Sequence, residues 1–182
     1  LAVLLEAVAA LRPRHPDLRL ALVGDGPDRT ALAAQAARLG IADAVEFTGY
    51  LSQTAVAARL AEADVFVLPS FAEGVPVVLM EALAAGRPVV ATRVAGVAEL
   101  VEDGVAGFLI PPGDPAPLAD RLQRLLSDPA LRARLGAGGR RIVEAEFDAA
   151  REAARLLRLI RSYRLGAPRP GLRPDPAEAA VA

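Results

Sequence analysis

Residues 64–92 read DVFVLPSFAEGVPVVLMEALAAGRPVVAT, and this stretch decides the fold. Its first five residues form a short, mostly apolar run of the kind found in parallel strands that are buried on both faces. Pro76 suits the first position of a helix, where its missing N–H costs nothing, and Gly86 suits the end of that helix. The stretch therefore predicts a strand, a loop, a helix at about 76–85 and a second strand at 88–92.

Two carboxylates, Glu73 and Glu81, lie in this unit. On one straight helix, residues eight apart would be separated by about 12 Å along the axis. Because Glu73 falls in the loop, the chain can fold it back toward the helix that carries Glu81. We therefore expect the pair to line one crevice at the N-terminus of the helix, a place suited to hydroxyl-rich or anionic ligands.

Strands and helices alternate on both sides of this unit. Before it, the periodicity predicts helices and strands in turn, at 1–12, 18–23, 28–39, 45–47 and 53–63. After it come a short helix at 96–101, a strand at 107–110 and a purely helical region at 115–164, with breaks near 128–129 and 136–139. We expect Ser52 and Asp114 to cap the helices that follow them. This order predicts an α/β fold, a Rossmann-like open parallel sheet with helices on both faces and further C-terminal helices.

Three regions follow from these patterns. They are an α/β domain at 1–147, a C-terminal helix at 148–165 and a Pro- and Ala-rich tail at 166–182, which we expect to be disordered. The C-terminal helix carries arginines at spacings of three and four, namely Arg151, Arg155, Arg158, Arg161 and Arg164. This spacing is typical of a solvated basic face, and it also fits contact with a partner domain or an anionic membrane surface.

The composition excludes several classes of function. A net charge of −1 gives no general attraction to nucleic acid. No apolar run approaches the roughly 20 residues that span a bilayer, so we expect a soluble protein. The lack of cysteine permits a reducing compartment, and the cytoplasm is the localisation that we expect. Cysteine and lysine are absent and His15 is the only histidine. Thiolate metal sites, histidine-based triads, multi-histidine metal sites and lysine Schiff bases therefore cannot be assembled from these residues.

Five ordered motifs closely resemble the nucleotide-sugar-binding signature of glycosyltransferase family 4. The main one runs from Pro69 to Thr92, and seven residues separate its two glutamates, as that family's motif requires. The other four are VGDGP at 23–27, FTGYL at 47–51, ELVEDG at 99–104 and GFLIPPGD at 107–114. The resemblance covers about residues 1–147.

This resemblance implies the C-terminal, donor-binding half of a two-domain GT-B enzyme. Such an enzyme moves a sugar from a nucleotide diphosphate sugar to an acceptor with retained anomeric configuration, and it needs neither a metal nor a cofactor. The expected partners are the nucleotide-sugar donor and, through the N-terminal domain, an acceptor glycan or lipid-linked sugar in surface polysaccharide or glycoconjugate synthesis. No nucleic-acid partner is expected. Peripheral association with the inner face of the membrane is left open.

The resemblance assigns roles to the two carboxylates. Glu81 matches the glutamate that accepts hydrogen bonds from the ribose hydroxyls of the donor, and an ionised carboxylate suits this task because it only accepts. Glu73 matches the catalytic glutamate that holds hydroxyls of the transferred sugar, close to the anomeric carbon where positive charge develops.

Four further positions match donor-binding positions of the family. Gly74 and Val75 offer backbone N–H groups to the diphosphate or to a sugar hydroxyl. Leu51 aligns with the position whose backbone contacts the nucleobase edge, and Gly24 lies in a loop beside it.

Parts of the family pattern do not occur in this sequence. The family has a strand before the first helix, followed by an arginine and a lysine that bind the donor diphosphate. We therefore expect a piece of a longer protein that lacks the central strand of its sheet, with strands at 19–23 and 64–68 flanking the gap. Such a piece should be inactive by itself, and its open strand edges should make it unstable.

Two other interpretations stay open. A nucleotide-sugar epimerase shares the architecture, but it needs acid and base groups for proton transfer, and histidine is scarce here. A non-catalytic nucleotide-sugar-binding module would need only the binding part of the site.

Overall fold

The computed structural model describes residues 1–164. The strands in these residues are β1 (Leu20–Val23), β2 (Val45–Gly49), β3 (Phe66–Leu68), β4 (Val89–Thr92) and β5 (Gly107–Ile110). The helices are α1 (Ala2–Leu11), α2 (Arg29–Arg38), α3 (Gln53–Glu62), α4 (Val77–Ala84), α5 (Ala95–Leu100), α6 (Pro115–Ser127), α7 (Pro129–Glu146) and α8 (Ala149–Arg164), with a short 3-10 turn before β2. Each pair of neighbouring strands is parallel, which confirms the predicted α/β fold.

The parallel strands fall into two sheets. β1 pairs with β2, with Leu20 opposite Val45, while β4 lies between β3 and β5. Within residues 1–164, β1 and β3 therefore pair along one edge only. A cleft of about 630 Å³ is lined by residues of both strands. The two strands that the sequence predicts beside a gap thus face a common cleft.

β3 is less buried than the other strands of its sheet. All residues of β4 and β5 are buried, whereas Phe66, Val67 and Leu68 are each only partly buried. The prediction that this strand is buried on both faces is wrong. The reason is that β3 has a neighbour on one side only, so its residues also line the cleft.

One hydrophobic core supports both sheets. α1 lies against α6, and the core between them includes the buried residues Leu4, Leu5, Val8, Leu11, Leu118, Leu122 and Leu125. The same core contains Leu22 of β1 and Val90 of β4. The strand ends that carry polar loops are therefore fixed to a common apolar layer.

Local signals in the sequence set several helix ends. The Ser52 hydroxyl accepts a hydrogen bond from the Ala55 N–H at 3.3 Å, and the Asp114 carboxylate accepts one from the Ala116 N–H at 2.9 Å. Both predicted caps are therefore confirmed. Gly86 has a φ of +69° directly after the last turn of α4, a conformation that glycine adopts without strain.

The glycines at 136–139 do not break a helix, contrary to the prediction. α7 runs through them without interruption. A Cβ atom at Gly136 would lie 2.0 Å from the Gly86 carbonyl oxygen, and one at Gly138 would lie 2.1 Å from the Val105 carbonyl oxygen. These glycines therefore let α7 approach the backbone of neighbouring segments more closely than any other residue would allow.

Within the described part of the chain, residues 145–164 form a second compact unit, distinct from Leu1–Glu144. Its helix α8 is amphipathic, because arginines and apolar residues recur along it. The exposed side chains of α8 include Leu156, Leu157, Ile160 and Tyr163. The predicted tail at 166–182 lies outside the described residues. Among the helices of residues 1–164, none combines the length and the apolar character that crossing a membrane demands.

Candidate functional site

The loop at residues 69–76, which we call the β3–α4 loop, follows the carboxyl end of β3 and leads into α4. Pro76 is the N-cap of that helix, with an extended ψ of 115°, and the first helical residue is Val77. The prediction that Pro76 itself begins the helix is therefore off by one residue. The ring of Pro76 still fixes φ where the loop turns into the helix.

Glu73 is held within this loop by a hydroxyl group. The Ser70 Oγ donates a hydrogen bond to the Glu73 Oε1 at 2.7 Å, and both residues are partly buried. A carboxylate has two oxygens and can accept several hydrogen bonds. Glu73 is therefore oriented by Ser70 and keeps accepting capacity for a ligand.

The next two residues carry unengaged backbone donors. Gly74 and Val75 are exposed, and within residues 1–164 their N–H groups donate no hydrogen bond. They lie directly before α4, whose first N–H groups add to the positive end of the helix dipole. This segment has the chemistry that binds phosphate or hydroxyl oxygens.

Glu81 lies on α4 itself, four residues after Val77. Along the helix axis, Glu81 is therefore about 6 Å from Val77, the first residue of the helix. It is partly buried. The loop and the helix thus present Glu73 and Glu81 from one continuous segment, with Gly74 and Val75 between them.

Gly24 follows β1 and is joined to the end of β2, and Leu51 lies two residues after that end. The Gly24 N–H donates to the Gly49 carbonyl at 2.9 Å, two residues before Leu51. Gly24 has a φ of +115°, in the region that favours glycine, and it lines a cavity of about 490 Å³ with residues of the β1–α2 loop. Leu51 is partly buried.

The cleft between β1 and β3 connects these two parts of the site. Val23, the residue before Gly24, lines this cleft, and so does Ala72, the residue before Glu73. Glu73, Glu81 and Leu51 do not line either this cleft or the 490 Å³ cavity. The cleft therefore reaches both loops but leaves the carboxylates outside its walls.

Two residues that the sequence reasoning assigned no role, Thr92 and Gly96, contact the β3–α4 loop. Thr92 ends β4, is 1% exposed, and its hydroxyl donates a short hydrogen bond to the Ser70 carbonyl. Gly96 lies in the first turn of α5, where a Cβ atom would be 1.6 Å from the Gly74 carbonyl oxygen. In the sequence, the features that could have pointed to these residues were a threonine at the end of an apolar strand and a glycine at the start of a short helix.

Arginines close to these loops are already paired with carboxylates. The Nη2 atom of Arg93, directly after Thr92, lies 3.1 Å from the Oδ2 atom of Asp103. The Nη1 atom of Arg29, at the start of α2, lies 3.9 Å from the Oδ1 atom of Asp25. Within the β3–α4 loop, the N–H groups of Gly74 and Val75 are donors that no acceptor in residues 1–164 engages. No group of three or more acidic or histidine side chains in residues 1–164 is arranged to hold a metal ion.

Parallel strands that alternate with helices and end in polar loops define an α/β domain of the Rossmann-like type. The family model for glycosyl transferases group 1 matches residues 1–142. The chain therefore belongs to the group 1 glycosyltransferases, and the solved structures that share its fold are GT-B glycosyltransferases.

Two curated relatives illustrate the similarity. The D-inositol 3-phosphate glycosyltransferase of Streptomyces avermitilis is 43% identical over 151 residues, which cover 78% of this chain and 32% of that protein. The alpha-D-kanosaminyltransferase of Streptomyces kanamyceticus is 35% identical over 143 residues, which cover 79% of this chain and 37% of that protein. The chain thus spans about a third of the length of these relatives.

Among solved structures, Alr3699/HepE of Anabaena in complex with UDP-glucose is similar. It has a TM-score of 0.80 and 30% sequence identity, and the match covers 88% of this chain and 44% of that one.

Proposed function

We propose that this chain is the C-terminal, donor-binding half of a family 4 glycosyltransferase that transfers a hexosyl group from a nucleotide diphosphate sugar with retention of configuration. The observation that carries this proposal is the β3–α4 loop, where an oriented Glu73 precedes two exposed, unengaged N–H groups at the start of a helix. The UDP-glucose in the similar Anabaena structure supports a donor of this chemical class.

The two carboxylates take different tasks in this proposal. Glu81 accepts hydrogen bonds from the ribose hydroxyls, and its place on α4 keeps its backbone rigid. Glu73 accepts hydrogen bonds from hydroxyls of the transferred sugar and stabilises positive charge that develops at the anomeric carbon. The hydrogen bond from Ser70 supports this role because it limits the rotamers that Glu73 can adopt.

Backbone groups bind the rest of the donor. The N–H groups of Gly74 and Val75 meet the diphosphate or a sugar hydroxyl, with the N-terminus of α4 behind them. The backbone at Leu51 contacts the nucleobase, and Gly24 shapes the neighbouring turn, consistent with the hydrogen bond that joins Gly24 to Gly49. Neither a metal nor a cofactor is needed for these contacts.

The whole enzyme needs more than these residues. An N-terminal domain binds the acceptor, a glycan or a lipid-linked sugar, and closes over the donor in surface polysaccharide or glycoconjugate synthesis. The arginines and exposed apolar residues of α8 are consistent with peripheral association of the enzyme with the inner face of the cytoplasmic membrane.

Titration of the full-length gene product with UDP-, GDP- and ADP-sugars tests this function, followed by turnover assays with glycan and lipid-linked acceptors. We expect saturable binding of one nucleotide class and sugar transfer with retained configuration by NMR. Binding without turnover on any acceptor would favour a non-catalytic module, and the absence of binding would contradict the proposal.

A further inference from the structure

We propose that Thr92 and Gly96 are positioning residues that hold the β3–α4 loop in its donor-binding conformation from the neighbouring β4–α5 segment. This inference rests on the proposed function, because it treats that loop as the donor site. Neither residue is proposed to touch the donor.

Thr92 fixes the start of the loop. Its Oγ1 donates to the Ser70 carbonyl, while the Leu68 carbonyl lies 3.5 Å from the same oxygen. Thr92 is 1% exposed, so water cannot easily replace its hydroxyl group. The Ser70 carbonyl is partly buried, so losing its donor carries a cost, and the loop would shift to relieve it. Because Ser70 also orients Glu73, the hydroxyl of Thr92 acts on that carboxylate through Ser70.

Gly96 fixes the middle of the loop. A Cβ atom at Gly96 would lie 1.6 Å from the Gly74 oxygen and 2.5 Å from the Gly74 carbonyl carbon. The first turn of α5 therefore packs directly on the carbonyl side of the Gly74–Val75 peptide. In a trans peptide the N–H points opposite to the carbonyl, and the described residues contain no cis peptide bond. The packing thus directs the Val75 N–H away from α5, where it is free to meet a ligand.

β4 is a rigid base for these contacts. It is hydrogen-bonded to β3 on one side and to β5 on the other, and all four of its residues are buried. The surface loop is thereby attached at two points: to Thr92 at the end of this central strand, and to Gly96 in the first turn of the helix that follows it. Binding groups held by such supports lose less conformational entropy when the ligand arrives.

Four variants of the full-length gene product test the inference. Thr92→Val removes the hydroxyl and keeps the shape, while Thr92→Ser keeps the hydroxyl. Gly96→Ala introduces a Cβ against the loop. Gly138→Ala is the matched control, because its Cβ would lie 2.1 Å from the Val105 carbonyl, far along the chain from the loop.

Two measurements separate positioning from a general loss of stability. Calorimetry and steady-state kinetics give the donor Kd, KM and kcat, and hydrogen exchange of residues 70–76 reports on the loop without any ligand. A merely structural defect reduces the fraction of active molecules and lowers kcat while the donor Kd and KM stay constant.

We expect Thr92→Val to raise the donor Kd about three- to tenfold, as the loss of one hydrogen bond would. Gly96→Ala should raise the donor Kd roughly tenfold or more. Thr92→Val and Gly96→Ala should both speed hydrogen exchange in the loop. Thr92→Ser should keep the wild-type donor Kd and the wild-type loop exchange. Gly138→Ala should lower Tm without changing the donor Kd.

Wild-type donor affinity and wild-type loop exchange in Thr92→Val would overturn the inference, even if Gly96→Ala fails to fold. If the wild type binds no nucleotide sugar, the proposed function fails and the donor-binding part of the inference falls with it. If loop exchange in Thr92→Val is also the same as in the wild type, the claim that Thr92 holds the conformation of the loop is overturned as well.

Discussion

Glu73 and Glu81 are both partly buried, but they differ in how they are held. Glu81 stands on a helix whose backbone bonds fix its position. Glu73 stands in a loop, and its carboxylate depends on the Ser70 hydroxyl at 2.7 Å. Removing Glu81 leaves the β3–α4 loop and its hydrogen bonds intact. At the scale of single residues, Glu81 therefore offers the cleaner measure of one donor contact.

Glu81→Ala should raise the donor Kd of the full-length gene product by about tenfold or more. The reason is that a hydrogen bond to a charged group contributes about 1.5–3 kcal/mol, and about 1.4 kcal/mol is already tenfold. Calorimetric titration measures the change. Glu62→Ala, at the exposed end of α3, is the matched control and should bind as the wild type does. Donor affinity that is the same in Glu81→Ala and the wild type would remove Glu81 from the site.

At the scale of elements, α7 depends on close backbone approach. Gly136 is buried, and its missing side chain lets the helix touch the carbonyl of Gly86 at the end of α4. α4 carries Glu81, so this contact also supports the helix of the proposed donor site. A glycine inside a helix normally costs about 1 kcal/mol relative to alanine. The close contact offsets that cost through packing.

Gly136→Ala should lower the free energy of unfolding by about 1–2 kcal/mol. Overpacking against backbone costs up to about 3 kcal/mol, which exceeds the gain of about 1 kcal/mol in helix propensity. Denaturant titration of the full-length gene product measures the difference. Ala137→Ser, at an exposed position of the same helix, should change it by less than about 0.5 kcal/mol. A more stable Gly136→Ala protein would show that propensity outweighs the clash.

The order of elements could be predicted from the sequence, and so could the placement of Glu73 in a loop and of Glu81 on the helix that follows, because these features depend on local patterns. Apolar periodicity, proline and glycine punctuation and short-range caps such as Ser52 act within a few residues. The continuity of α7 through its glycines could not be predicted, since a glycine that ends a helix and one that permits close packing look alike in one sequence. The contact of Thr92 with Ser70 spans 22 residues and exists only once β3 and β4 pair.

At the scale of the whole molecule, β1 and β3 each have one edge that pairs with no other strand of residues 1–164, and both strands line a common cleft. Unpaired strand edges are templates for pairing with other chains, and the apolar residues of β3 are only partly covered. The 182-residue chain in isolation should therefore associate as its concentration rises.

A charge on the open edge should reduce this association. Ala21→Arg, at an exposed position of β1 that lines the cleft, should lower the apparent mass of the isolated chain in light scattering. Ala61→Arg adds the same charge on an exposed position of α3 and should leave association unchanged. A monomeric, cooperative unfolding transition of the unmodified chain would contradict the prediction.

Hydrogen exchange with and without bound donor tests the central claim, that the β3–α4 loop binds a nucleotide sugar. The full-length gene product is saturated with the UDP-, GDP- or ADP-sugar that it binds, and exchange is followed by mass spectrometry along the chain. We predict slower exchange in residues 70–78, with a smaller effect around Gly24 and Leu51. Saturating donor that slows exchange elsewhere and leaves residues 70–78 unchanged would contradict the claim.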